Sequence, residues 1–140
     1  MIRYPAKIRY SRRDTVFYAE FPDLPGCYTF GETREEALHM AEEAVSAYLE
    51  SIDLRKIKIP APSALKGRDV FYISPDTKTA FAVWMKLKRL EKGLSQEQAA
   101  ELLGINFQSY QKFENPKKAN PTLVTLKKIE RIFDEKIVLV

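Results

Sequence analysis

The spacing of apolar residues changes once along this chain, and that change constrains its fold more than any other feature. Between residues 4 and 10 apolar and polar side chains alternate, which is the two-residue period of a strand with one buried face. After Thr33 apolar residues recur every three or four positions, as they do along one face of a helix. Strands followed by helices predict an α+β protein, and 140 residues suffice for two small domains.

The first part of the chain predicts a small sheet covered by a helix. Strands are expected over residues 4–10, 15–21 and 27–30, and their connections are too short for anything but an antiparallel meander. Thr33 and Glu36 form a capping-box pattern, which predicts a helix of about 18 residues. Its apolar stripe consists of Leu38, Ala41, Val45, Tyr48, Leu49 and Ile52.

A connector separates this unit from the second half of the chain. Residues 58–68 are rich in Pro, Ser and Gly, and residues 70–73 are β-prone enough for a fourth strand. We therefore expect a first domain over residues 1–74 and a second over residues 75–140. Four short helices are predicted in the second domain, followed by a C-terminal strand over residues 136–140 that invites pairing. The expected helix N-caps are Thr79, Ser95, Asn106 and Thr122, and the expected inward residues of the last helix are Leu123, Leu126, Ile129 and Phe133.

Composition excludes several classes of protein. The net charge of +4 permits a nucleic-acid partner without requiring one. Cys27 is the only cysteine and His39 the only histidine, which excludes a disulfide scaffold and a Cys- or His-rich metal site. The sequence shows neither a membrane-spanning apolar run nor a signal peptide, so we expect a cytoplasmic protein without a membrane partner. No metal or cofactor is expected.

The second half has the residues that a helix-turn-helix requires. Two helices that cross closely need a small residue inside the first, and Ala100 provides it. The turn needs a residue that tolerates a positive φ, and Gly104 provides that. Apolar residues at the expected offsets complete the core: Ala99, Leu103, Ile105, Tyr110 and Phe113.

The stretch LSQEQAAELLGI at residues 94–105, followed by FENP at 113–116, resembles the repressor-type helix-turn-helix of the Cro/C1 (Xre) family. The resemblance covers about residues 79–133 and implies that the third helix enters the major groove of operator DNA. It implies that Gln108 pairs with adenine, that Gln96 meets a phosphate at a helix N-terminus, and that Arg89 and Glu114 form a structural ion pair. The implied DNA-binding residues are Gln96, Asn106, Phe107, Gln108, Gln111, Lys112, Lys117 and Lys118.

Three departures from that family pattern affect the prediction. Phe107 stands where a polar residue is common in the family. It either contacts a thymine methyl group or packs against the protein without contacting DNA. Pro116 stands where a glycine is usual in the family. The third helix, which would be the recognition helix, contains no arginine that could bind guanine. The alternative is that this four-helix unit serves only for dimerisation.

The first half resembles the HicB antitoxin family over about residues 2–68. The resemblance rests on FPDLPGC at residues 21–27, on TFGETREEA at 29–37 and on IPAPS at 59–63. It implies a partial RNase H-like fold for the β-β-β-α(-β) domain, followed by a DNA-binding domain. It also implies that the chain binds a HicA-like RNase toxin, blocks it, and represses its own operon. Because one small helix-turn-helix binds DNA weakly, we expect a homodimer or higher homo-oligomer.

The sequence also suggests contact surfaces for such an antitoxin. An acidic surface would complement a basic toxin, and the candidates for toxin binding are Asp23, Leu24, Tyr28, Glu32, Glu35 and Glu36. The candidates for dimerisation are Ile137, Val138, Leu139 and Val140. The aromatic residues of the sheet are expected mostly to build its core. An alternative is that they form a platform that stacks on RNA bases, but few basic residues lie between them to bind phosphates.

Two other functions remain as alternatives. One is a standalone transcription regulator whose first domain senses a small molecule. The other is a nuclease, which needs several carboxylates that converge on metal ions. Glu20, Asp23 and Glu32 lie at predicted strand ends and loops, so we expect no catalytic residue and no enzyme activity.

Overall fold

A computed structural model describes residues 1–54 and 57–138, and in these ranges it contains four strands and five helices. They belong to two units, one spanning Ile2–Asp76 and the other Thr77–Val140 together with Met1. The first unit contains the strands and one helix, and the second contains the other four helices. The α+β class expected from the change of apolar period is confirmed. None of the helices in the described ranges is both long and apolar enough to cross a lipid bilayer.

The first unit is a four-stranded antiparallel sheet with the order β3-β2-β1-β4. Its strands are β1 (Tyr4–Ser11), β2 (Val16–Glu20), β3 (Tyr28–Gly31) and β4 (Val70–Ile73). The predicted meander and the fourth strand are therefore correct. The chain returns after the helix and connector to place β4 beside β1, where Ala6 lies opposite Phe71.

Helix α1 (Arg34–Leu54) covers one face of this sheet. Tyr4, Ala6 and Ile8 alternate along β1 on the covered face and are buried. The predicted helix stripe is correct in its period but is shifted by one residue at its start. Leu38 and Tyr48 are only half-buried, and the buried helix residues are Ala37, Ala41, Val45, Leu49 and Ile52.

The start of α1 explains two of the motif residues of this unit. Thr33 Oγ1 accepts a hydrogen bond from the Glu36 backbone N–H at 3.0 Å, as a helix N-cap does. The Glu36 carboxylate accepts the Glu32 N–H at 2.9 Å, one residue earlier than a standard capping box. A side chain at Gly31 would overlap the Ala37 backbone nitrogen, so glycine permits the close approach of β3 to the helix.

The connector after α1 forms no helix or strand over residues 57–67, but hydrogen bonds hold it against the sheet. The Tyr4 hydroxyl donates to the Pro60 carbonyl at 2.6 Å, and the Tyr72 hydroxyl donates to the Leu65 carbonyl at 2.6 Å. The Ser63 N–H donates to Asp23 Oδ2 at 2.8 Å. These hydrogen bonds assign the connector to the first unit.

The opposite face of the sheet is open along β2 and β3, whereas Pro5 of β1 is buried on it. Alternation places Arg9, Tyr18 and Glu20 on this face, together with Tyr28 and Phe30 of β3. All five side chains are exposed, and Tyr28 retains 68% of its accessible surface. The sheet therefore presents a surface on which aromatic and charged groups alternate.

The second unit contains α2 (Thr77–Glu91), α3 (Gln96–Leu103), α4 (Phe107–Phe113) and α5 (Leu123–Phe133). Three of the four predicted N-caps are correct. Ser95 forms a full capping box with Gln98, and the side chains of Asn106 and Thr122 each accept the backbone N–H at N3.

Three expectations for this unit are wrong. Helix α2 begins at Thr77, so Thr79 lies inside it and is buried rather than capping it. Leu123 is 79% exposed, because it is the first residue of α5 and the inward stripe begins a turn later, reaching Ile129 and Phe133. The described part of the C-terminal segment, residues 135–138, contains no strand, while residues 139 and 140 lie outside the described ranges.

Candidate functional sites

Helices α3 and α4 form the crossing pair on which the predicted DNA-binding surface depends. Gly104 ends α3 with a φ of 69°, a left-handed conformation that favours glycine. The Ile105 N–H then donates to the Ala100 carbonyl at 3.1 Å, and Ala100 is buried. The turn is therefore closed by the residues that the sequence assigns to it, and Asn106 starts α4 immediately afterwards.

A buried polar network fixes α2 and the end of α4 to each other. The Arg89 guanidinium donates to both carboxylate oxygens of Glu114, at 2.7 and 2.9 Å, and to the Leu94 carbonyl at 2.8 Å. The Tyr110 hydroxyl donates to Glu114 Oε2. Since the ion pair is bidentate and hydrogen-bonded on several sides, it sets orientation as well as distance. Burial, together with the Glu114 charge, raises the pKa of Tyr110 above its ordinary range.

The same network extends to the surface through two predicted DNA contacts. Gln96 Nε2 donates to Glu114 Oε1 at 3.3 Å, and Gln111 Nε2 donates to Gln96 Oε1 at 3.4 Å. The N-terminus of α3 and the recognition helix α4 therefore meet at these two amides. The structure thus brings two of the predicted DNA contacts, Gln96 and Gln111, together.

The other predicted DNA contacts lie along α4 and the loop that follows it. Asn106 uses its Oδ1 to cap α4, accepting the Ser109 N–H at 2.8 Å. Phe107 is half-buried, whereas Gln108 and Lys112 are exposed. The loop itself is anchored, because Pro116 is buried, and the exposed loop residues are Lys117 and Lys118.

In the first unit, the motif at residues 21–27 forms a tight loop between β2 and β3. The Leu24 N–H donates to the Phe21 carbonyl at 3.0 Å, and the Cys27 N–H donates to the Leu24 carbonyl at 2.9 Å. The Leu24 side chain is fully buried, so the expectation that it anchors a toxin at the surface is wrong. Its physical role is to hold the loop on the core.

The remaining toxin-contact candidates divide into two groups. Asp23 and Glu36 accept backbone N–H groups from Ser63 and Glu32, so their carboxylates support the fold of the unit. The other candidates are exposed, as Glu36 also is, and these are Tyr28, Glu32 and Glu35.

Sequence reasoning missed a cleft at the end of the open sheet face. It has a volume of about 460 Å³ and lies between β2, β3 and the loop, where Tyr18, Glu20 and Tyr28 contribute to its lining. Cys27 also contributes, and burial raises the pKa of its thiol to about 11, so the thiol stays neutral near pH 7. The two-residue alternation along β2, which places Tyr18 and Glu20 on one face, is the signal that could have indicated it.

Comparison with known families decides between the interpretations of the first unit. Residues 4–91 match the profile of the HicB-like antitoxins of bacterial toxin-antitoxin systems, and residues 85–140 match a helix-turn-helix profile. The chain belongs to the HicB-like antitoxin family. The family resemblance seen in the sequence is confirmed, and the matched region extends beyond residue 68 into α2.

Two relatives named HicB support the same assignment, and a third protein is similar over a shorter stretch. Antitoxin HicB 2 of Photorhabdus laumondii subsp. laumondii is 32% identical over 111 residues, which are 79% of this chain and 76% of the relative. Antitoxin HicB 1 of the same organism is 33% identical over 107 residues, which are 76% of this chain and 66% of the relative. A UPF0150 protein of Thermoplasma acidophilum is 43% identical over 51 residues, which are 36% of this chain and 74% of that protein.

Membership of the HicB-like family implies a toxin partner, and the helix-turn-helix implies DNA binding. The nuclease alternative would need carboxylates that converge. Within the described ranges, no three Asp, Glu, His or Cys side chains are grouped so that they could hold a metal ion.

Proposed function

We propose that this HicB-like chain binds and occludes a small HicA-like RNase toxin and represses its own operon in the cytoplasm. The observation that carries the proposal is the union, in one chain, of a HicB-type unit and a helix-turn-helix. One unit provides a surface for a protein and the other a surface for DNA. Neither task requires a catalytic group or a cofactor, because occlusion alone blocks a nuclease. We keep the proposed domains at residues 1–74 and 75–140.

For DNA, we propose that α4 enters the major groove and that the N-terminus of α3 faces a phosphate. Gln108 is exposed on α4 and has an amide that can bond adenine in two places. Gln96 lies at the first position of α3, where the helix dipole favours an anion. Lys117 and Lys118 follow α4 and suit contacts to the DNA backbone. The proposed base and groove contacts are Asn106, Phe107, Gln108, Gln111 and Lys112.

For the toxin, we propose a contact surface on the first unit around the start of α1 and the end of the sheet. Glu32 and Glu35 are exposed there, and Glu35 lies in the first turn of α1. An RNA-binding toxin has a basic surface, and carboxylates would complement it and speed association. Tyr28 offers an exposed ring for apolar contact. Asp23 and Glu36 stabilise the backbone around this surface by accepting hydrogen bonds from backbone N–H groups.

We also propose that the chain binds DNA as a homodimer, because one small helix-turn-helix contacts only half of a two-fold operator. The C-terminal residues are the proposed contact. Val138 is exposed. The Ile137 backbone N–H donates a hydrogen bond to Glu130 Oε2 at 2.9 Å, which holds this segment against α5. Leu139 and Val140, which complete the proposed contact, lie outside the described ranges.

One experiment tests both halves of the proposal on the full chain. The protein is titrated against a duplex from the promoter of its own operon, with and without the small basic protein encoded beside it. We expect binding at least about 10³-fold tighter than to an unrelated duplex, and a stable complex with the neighbouring protein. Specific DNA binding without any complex would instead favour the standalone regulator. Equal affinity for both duplexes would contradict the repressor role.

A further inference from the structure

The cleft at the end of the open sheet face has a composition suited to a cation. Glu20 and Tyr28 are direct partners across the pairing of β2 with β3, so their side chains leave the same face side by side. Tyr18 lies on that face as well, with its ring centroid 6.2 Å from that of Phe30. The lining residues include one carboxylate and two tyrosine rings, but no lysine and no arginine.

Charges just outside the cleft do not reverse this balance. Lys7 lies opposite Glu20 on β1, and the field of Arg9 also reaches that carboxylate. Arg9 itself is paired with Asp69 at 2.5 Å. The Tyr18 hydroxyl donates to Asp14 Oδ2 at 2.8 Å, which places a second carboxylate near the same ring, and the positive charge of Arg13 also acts on that ring.

The cleft is preformed, because its loop is held from three directions. The Phe21 N–H donates to the Cys27 carbonyl at 3.1 Å and closes the base of the loop. The Tyr48 hydroxyl, from α1, donates to the Pro25 carbonyl at 2.9 Å. Leu24 is buried beneath the loop. Little ordering is therefore needed when a side chain enters, which lowers the cost of binding.

We propose that this cleft receives an arginine side chain of the toxin, with the guanidinium between the tyrosine rings and the Glu20 carboxylate. A guanidinium is planar, stacks on aromatic faces and forms charge-assisted hydrogen bonds with carboxylates. The volume of about 460 Å³ lies in the range typical of small-ligand sites, which is about 300–1,000 Å³. The proposal deepens the toxin-binding function and rests on it for the identity of the partner.

The same features argue against a nucleic acid as the occupant. Exposed rings on a sheet can stack on bases, but such platforms also need cations for the phosphates. Lys7 and Arg9 lie on the same face, but Arg9 is paired with Asp69, and the charged group in the cleft lining is the Glu20 carboxylate, which repels a phosphate. A basic protein is therefore the partner that the charges favour.

The first test uses the full chain and a probe that does not depend on the toxin. The 15N-labelled protein is titrated with N-acetyl-arginine amide, and with N-acetyl-citrulline amide as an uncharged control of nearly the same shape. We expect saturable shifts at Tyr18, Glu20 and Tyr28 with the arginine probe alone, and their loss in Glu20→Gln. Equal shifts with both probes, or shifts at these residues only with a single-stranded RNA oligomer, would overturn the proposal.

The second test measures toxin affinity with matched variants. Glu20→Gln and Tyr28→Ala each weaken binding about tenfold or more, because a charge-assisted contact or a stacked ring is lost. Glu43→Gln removes an exposed carboxylate of α1 and leaves the affinity unchanged.

The two tests separate the failure of this inference from failure of the proposed function. If the wild type binds the toxin and both cleft variants bind it equally well, the inference is wrong while the antitoxin role stands. If the neighbouring protein does not bind but the arginine probe does, the cleft is a guanidinium site and the proposed toxin is wrong.

Discussion

At the scale of single residues, Glu114 has the greatest effect on the DNA-binding unit. Its carboxylate accepts hydrogen bonds from Arg89, Tyr110 and Gln96, which belong to three different helices. A group of this kind resists replacement, because its loss leaves a buried guanidinium without a counter-charge. The network thus links the stability of the unit to the position of a proposed phosphate contact.

We predict that Glu114→Gln lowers the free energy of unfolding of the second unit by about 3–5 kcal/mol. The matched control is Glu101→Gln, which changes an exposed carboxylate on α3 and should shift it by less than about 0.5 kcal/mol. Urea denaturation followed by circular dichroism measures both. Equal stability of the two variants would contradict the structural role of the ion pair.

The buried thiol of Cys27 makes a pH-dependent prediction. Burial raises its pKa from 9.0 to about 11, so the unfolded chain releases this proton at lower pH than the folded one. Stability is therefore fully present below pH 9 and falls as the pH rises from 9 towards 11. Tyr4 and Tyr110, whose pKa values burial also raises, act in the same direction above pH 10.

Urea denaturation between pH 7 and 10.5 checks this expectation, with Cys27→Ala as the control that removes the thiol. The wild type should lose stability between pH 9 and 10, and the variant should lose less over that interval. Iodoacetamide should alkylate the folded protein much more slowly at pH 9 than the protein in urea. A rate that is the same in both states would mean that the thiol is neither buried nor neutral.

At the scale of elements, the recognition helix makes a prediction about specificity. Gln108→Ala should weaken operator binding about tenfold or more and leave binding to unrelated DNA unchanged, since only a base contact is lost. Lys118→Ala should weaken both equally and lower the salt dependence of log Kd by about one unit.

Fluorescence anisotropy at several salt concentrations separates these two effects. Lys58→Ala removes an exposed positive charge from the first unit and serves as the control. A loss of operator affinity in Lys58→Ala equal to that in Lys118→Ala would show that net charge, rather than the helix-turn-helix, dominates binding.

Helix caps and turns could be predicted from the sequence, because they depend on neighbouring residues. The burial of individual side chains near the ends of helices and strands could not be predicted in this way. Ser95, Gly104 and Asn106 specify caps and a turn through their own backbone preferences, and the structure agrees. Leu24 and Leu123 are both apolar, yet one is buried and the other exposed. The burial of each side chain depends on which other elements pack against it, and that is decided by the tertiary structure. The sheet cleft was missed for the same reason, because its lining comes from two strands and a loop.

The C-terminal segment makes a prediction about assembly. Deletion of residues 136–140 should convert the proposed dimer to a monomer, measured by light scattering coupled to size-exclusion chromatography. The exposed pair Leu123 and Val124, changed together to Ser, is the comparison, because it removes another apolar surface of the same unit. A dimer that survives the deletion but not the Ser pair would place the contact at the start of α5 instead.

At the scale of the whole molecule, one chain carries two surfaces, each of which is proposed to act by binding. The sheet unit presents rings and carboxylates, and the helical unit presents exposed lysines together with amides that join a buried network. The proposed function explains why both occur in one chain, since it assigns one surface to a toxin and the other to operator DNA. How toxin binding alters DNA affinity depends on linkage between the two units, and titration with both partners measures it.

The most direct test of the antitoxin claim is rescue by co-expression. The small basic protein encoded beside this gene is expressed alone, with the full chain, and with a Glu20→Gln, Tyr28→Ala double variant, and surviving cells are counted. The account predicts that the neighbour is toxic, that the full chain restores growth, and that the double variant restores less of it. A toxic neighbour whose effect the full chain does not relieve would contradict the central claim.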